Sequence, residues 1–125
     1  MNNKLHANIS VRLFKDDKCF GPGIASLLHR IDEHRSLRSA AISMGMAYSK
    51  AWTILKNSEK LLGFKLLSST IGGKNGGGAI LTEEAKAMLT AYDEYCTELK
   101  KYSDRLFNEK FSFYNEFQNS EENYL

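Results

Sequence analysis

Ser49, Lys50, Thr53 and Lys56 fall at steps of three and four, which on an α-helix gathers them along one face. Their chemistry is hydrogen bonding and charge: Lys50 can donate to guanine O6 or N7, and Thr53 can touch a base edge or a phosphate. Tyr48 opens the same stretch and is a candidate contact beside them. Ser36, Arg38 and Ser39 form a second cluster, where a helix start would present backbone N–H groups to a phosphate. Lys74 and Asn75 form a third, inside a run of five glycines that lets the backbone come close to a partner. Each set also has a plainer reading: a solvated helix face, a simple cap at Ser36, a glycine hairpin with no partner.

Bond-breaking chemistry finds little support. His6, His29 and His34 stand apart, His29 and Cys19 do not make a convincing base and nucleophile, and no paired carboxylates lie in an apolar setting that would tune them. A phosphate loop needs Gly-x4-Gly-Lys-Ser/Thr, yet Lys74 is followed by Asn75 and Ser68 stands at the upstream glycine position. Cys19 and Cys96 have no histidine or cysteine at ligand spacing and read as reduced thiols. No enzymatic activity, metal or cofactor is expected.

The net charge of +2 conceals a polarity along the chain. Residues 1–75 carry 12 Lys and Arg against 5 Asp and Glu, whereas residues 76–125 carry 5 against 10. Residues 37–58 and 60–82 contain no carboxylate at all, as a surface facing a polyanion requires. The length of 125 residues suits one domain with a real core. No apolar run approaches the roughly 20 residues of a membrane span, so a cytoplasmic protein without a membrane partner is expected.

The elements that must position these residues follow from period and punctuation. Ala7, Ile9, Val11 and Leu13 alternate with polar residues and predict a first strand. Pro22 suits a first helical turn, and Ile24, Leu27, Leu28 and Ile31 give one face of a helix ending near His34. Ser36 caps a short second helix with Ala40, Ala41 and Met44 inward, stopped by Gly45. A third helix is predicted from about Tyr48 to Leu62, burying Ala51, Trp52, Leu55 and Leu62 and ending at Gly63. Two short helices joined by a tight glycine turn make a helix-turn-helix. Residues 64–67 and 79–81 read as strands flanking a wing, with the glycines at its tip.

Thr82 caps a long last helix whose first turn holds Glu83 and Glu84. Met88, Tyr92, Tyr95, Leu99, Tyr102 and Leu106 then form a heptad seam. At ~1.5 Å per residue, residues 82–107 would span about 39 Å, more than so small a domain can cover. The seam therefore needs a partner, most simply a second copy. The expected fold is mainly α with a small β-sheet: a winged helix-turn-helix over residues 1–81, then a dimerisation helix and frayed tail over residues 82–125.

The run Ala47-Tyr48-Ser49-Lys50-Ala51-Trp52 is followed by Gly72-Gly73-Lys74-Asn75-Gly76-Gly77-Gly78-Ala79-Ile80-Leu81-Thr82. In order and spacing these segments resemble the N-terminal DNA-binding domain of the ModE family of molybdate-responsive regulators. The helix-turn-helix alone is also similar to LysR-type domains. The resemblance covers roughly residues 9–95 and implies a dimer, joined through its first strand and last helix, on an inverted-repeat operator. Family members carry C-terminal molybdate-binding modules with a Ser-Ala-Arg-Asn signature that this sequence lacks, so direct molybdate binding is not expected. Ser68-Ser69 departs from an acidic-arginine pair common in the family, which weakens a backbone contact. Ala85 replaces a frequent glycine and suits a helix interior.

Together these readings predict a sequence-specific transcriptional regulator that binds double-stranded DNA as a homodimer. The alternative is a winged-helix protein–protein interaction module, which would have no reason to exclude carboxylates from both the third helix and the wing.

Overall fold

The computed structural model describes residues 4–69 and 78–118, in two compact units: Ser10–Asp93, and a second made of residues 4–9 with 94–118. The first holds a hairpin of β1 (Leu13–Lys15) and β2 (Asp17–Phe20), then α1 (Pro22–His34), α2 (Leu37–Ser43) and α3 (Tyr48–Leu62). A second antiparallel pair follows, β3 (Leu67–Ser69) with β4 (Ala79–Leu81), in register Leu67 to Leu81, Ser68 to Ile80 and Ser69 to Ala79. The 28-residue α4 (Glu83–Lys110) begins in this unit, and α5 (Tyr114–Gln118) lies in the second. The order of three helices, hairpin and long helix is a mainly α winged helix-turn-helix.

The helices start and stop where local chemistry dictates. Pro22 opens α1, and Arg35 closes it in the left-handed conformation. Ser36 Oγ accepts the Ser39 N–H at 3.1 Å and caps α2. Gly45, at φ +65°, and Gly63, at φ +89°, make the turns after α2 and α3. A Cβ on either would meet open space, so glycine is required there by backbone conformation alone. Thr82 Oγ1 accepts the Ala85 N–H at 3.0 Å and donates to the Lys65 carbonyl at 2.7 Å. One hydroxyl thus caps α4 and fixes the chain leading into β3.

Phe20, Leu27, Leu28, Ile31, Leu55 and Leu66 are wholly buried, each contributing about 1.5–3 kcal/mol of burial. Ala40, Ala41 and Ala51 leave no exposed surface and let α1, α2 and α3 approach closely. The Ala79 N–H donates to the Arg35 carbonyl, which ties the wing base to the end of α1.

Three expectations need correction. Residues 7–12 form no strand; only Leu13 of the alternating run is paired, with Phe20. Alternation marks a face that wants cover, but a strand also needs a pairing edge, and β2 takes the residues that follow. The first wing strand occupies 67–69 rather than 64–67, because Leu66 enters the core and its N–H is claimed by a side chain. Trp52 is 47% exposed, not buried, and Leu62 is only half-buried. The inward stripe of α3 is Ala51, Leu55, Ser58 and Glu59.

Both cysteines are free thiols. Among the described residues no group of histidine, cysteine and carboxylate side chains could hold a metal ion, and no helix is long and apolar enough to cross a membrane.

Candidate nucleic-acid interface

Tyr48, Trp52 and Lys56 follow one another at steps of four and form a stripe of α3 adjoining its buried one. They line an open groove of about 620 Å³ whose other walls are Ser36 and Arg38 at the start of α2, Lys65, and Leu67, Ser69, Gly78 and Ala79 at the wing base. The Arg38 guanidinium stacks over the Tyr48 ring at 4.5 Å, and Lys56 Nζ stands 5.7 Å from the Trp52 ring centre. Each aromatic face thus carries a cation, an arrangement worth about 0.5–1 kcal/mol at exposed sites. Arg30 Nη1 donates to the carbonyl and hydroxyl of Ser43, holding the end of α2 to α1.

Ser49, Lys50 and Thr53 are exposed on the neighbouring solvent face of α3. Thr53 Oγ1 donates to the Ser49 carbonyl at 2.9 Å, which leaves its oxygen to accept. Lys50 makes no ion pair among the described residues. Lys74 and Asn75 lie outside the described residues.

Glu59 interrupts the two carboxylate-free runs, and its geometry explains how. The residue is 8% exposed; Oε2 accepts the Leu66 N–H at 2.8 Å and Oε1 meets Lys56 Nζ at 3.2 Å. Burial alone would raise its pKa, but the Leu66 N–H, the bond and charge of Lys56, and the Leu67 backbone outweigh it and hold the carboxyl below its ordinary range. Its charge is spent on anchoring the wing strand to α3.

Sequence reasoning missed Trp52 and Lys65 as groove residues. The spacing of Trp52 to Tyr48 and Lys56 is four in both directions, but its step of three to Leu55 fits the inward stripe equally well. Nothing local marked Lys65.

The seam residues divide. Tyr92 is 7% exposed, its hydroxyl donating to the Val11 carbonyl at 2.7 Å and its ring meeting Phe20 edge-on at 5.1 Å, so it serves its own core. Met88 and Leu99 are half-buried, whereas Tyr95, Tyr102 and Leu106 are exposed.

No family model matches the chain. The transcriptional regulator ModE of Haemophilus influenzae is 38% identical to it over 72 residues, covering 58% of this chain and 28% of that protein. The DNA-binding transcriptional dual regulator ModE of Escherichia coli K12 is 32% identical over 90 residues, 71% of this chain and 34% of that one. ModE of Yersinia pestis is 31% identical over 102 residues, 82% and 37% respectively. The matched region is similar to part of these ModE regulators. The chain spans about a third of the length of these ModE relatives. The Yersinia match, at 82% of this chain, extends too far to rest on the 15-residue α3 alone.

Proposed function

We propose that this ModE-like domain is a DNA-binding transcriptional regulator, a homodimer that sets α3 of each subunit into successive major grooves of an inverted-repeat operator. One observation carries the reading: between residues 37 and 82 the single carboxylate is Glu59, and it is turned inward. The names of the relatives accord with it. Lys50 donates to a guanine edge, with Ser49, Thr53 and Tyr48 alongside; Lys56 and Arg38 meet phosphates, and Lys74 and Asn75 reach backbone or minor groove from the wing. Tyr95, Leu99, Tyr102 and Leu106, with Met88, form the subunit contact, which Tyr92 supports from within its own core. Such a regulator works in the cytoplasm, where its operator is; catalysis and direct molybdate binding have no place in the proposal.

Fluorescence anisotropy against the upstream duplex and a scrambled one, each at two salt concentrations, tests it. Tighter and salt-sensitive binding to the upstream duplex is expected. Equal affinity for both duplexes, or affinity indifferent to salt, overturns it.

A further inference from the structure

The groove along α3 does not end at Lys56. Lys56 and Lys65 border it on one side and, on the other, a second open recess of about 440 Å³ whose remaining walls are Glu59, Lys60, Gly63 and Phe64. The two hollows adjoin across this lysine pair and together run from the start of α2 to the end of α3. Arg38, Lys56, Lys65 and Lys60 line that course. Among the described residues lining it, the one carboxylate is Glu59, which is 8% exposed and bonded to Lys56 and the Leu66 N–H.

Lys65 is not a loose surface lysine. Gly63 turns the chain at φ +89°, and Thr82 Oγ1 donates to the Lys65 carbonyl at 2.7 Å. The next residue, Leu66, is wholly buried, with its N–H on Glu59 and its carbonyl accepting the Thr82 N–H at 3.0 Å. The backbone that carries Lys65 is therefore held at successive peptide groups while the side chain stays exposed. Lys60, one turn beyond Lys56, is exposed on α3. Neither ammonium makes an ion pair among the described residues, whereas Lys56 shares Glu59.

Resting on the DNA-binding reading above, we infer that this course takes the sugar–phosphate backbone of one DNA strand past α3, with Lys65 and Lys60 each neutralising a phosphate. A strand backbone repeats its charge at every nucleotide, so it calls for spaced cations and no exposed carboxylate. Its sugars meet the exposed rings of Tyr48 and Trp52, which wall the groove. Lys65 and Lys60 thus set the register of α3 on the duplex and carry no sequence information.

The test is anisotropy titration of the whole chain against the upstream and scrambled duplexes over a range of salt, for wild type, Lys60→Gln, Lys65→Gln and Lys65→Arg. Each glutamine variant should lower the slope of log affinity against log salt by about 0.9 and weaken both duplexes by the same factor, leaving their ratio intact. Lys65→Arg should restore the wild-type slope. An unchanged slope in both glutamine variants overturns the inference, and so does a loss confined to the upstream duplex, which would make these lysines base contacts.

The two readings fail separately. Unequal wild-type affinities with an unchanged slope in the variants keep the regulator and discard the backbone course. Equal wild-type affinities with a lowered slope in the variants do the reverse. Absence of wild-type binding to either duplex discards both.

Discussion

The groove face of α3 and the exposed stripe of α4 both show aromatic rings to solvent, yet charge surrounds them differently. On α3, Tyr48 and Trp52 each carry a cation and the nearby carboxylate is buried. On α4, Tyr95, Tyr102 and Leu106 share their helix with charges of both signs, including a Lys100–Asp104 pair at 2.9 Å and Arg105 over Tyr102 at 5.8 Å. A one-signed surface suits a polyanion and repels a copy of itself. A mixed one can meet its own image across a two-fold axis. The two exposed aromatic faces thus differ in the charge that surrounds them, which is what the proposed partners, DNA for α3 and a second copy for α4, would require.

The largest expected effect comes from reversing the charge on one side only. Lys50→Glu combined with Lys74→Glu should lower affinity for the upstream duplex by about a hundredfold or more, since each good base contact is worth about 1–3 kcal/mol. Melting temperature and oligomeric state should not change. On the other side, Leu99→Glu with Leu106→Glu should shift sedimentation from dimer to monomer while the Ser10–Asp93 unit stays folded. A dimer that survives both charges would move the subunit contact elsewhere.

Glu59 tests the boundary between the two kinds of surface. Glu59→Ala leaves the Leu66 N–H buried without an acceptor and should cost about 1–3 kcal/mol in denaturant unfolding. Because the folded carboxyl titrates below the unfolded value of about 4.3, its contribution is whole above that value and is lost as pH falls through the lower folded one. Glu59→Gln keeps an acceptor for Leu66 and should flatten the stability profile in that window. An unaltered acid limb would mean that the charge does not anchor the wing.

The smallest effect separates the two readings of Trp52. A buried tryptophan cut to alanine costs about 3–5 kcal/mol. Trp52→Ala should cost under about 1 kcal/mol, since the ring is 47% exposed, and should weaken DNA binding several-fold.

Helix limits were legible because single residues set them: Ser36 and Thr82 cap through their own hydroxyls, and Gly45 and Gly63 supply the positive φ. That Ser49, Lys50 and Thr53 share a solvent face of α3 was legible from spacing. Trp52 was not, because a step of three to Leu55 fits the inward stripe as well as a step of four to Tyr48 fits the groove, and only tertiary packing chooses. Tyr92 held its heptad position but found Val11 and Phe20, partners from distant sequence. Glu59 left a trace, the one acid between two carboxylate-free runs, but its partner Leu66 becomes visible only after the chain turns at Gly63.

The proposed regulator reads DNA with α3 and does not meet it with the basic residues of α4. The most direct test is the slope of log affinity against log salt for wild type, Lys50→Gln, and Lys100→Gln with Lys101→Gln. The Lys50 change should reduce affinity for the upstream duplex, while the α4 pair should change neither affinity nor slope. A loss of affinity and slope from the α4 pair, with Lys50→Gln silent, would place DNA on α4 instead.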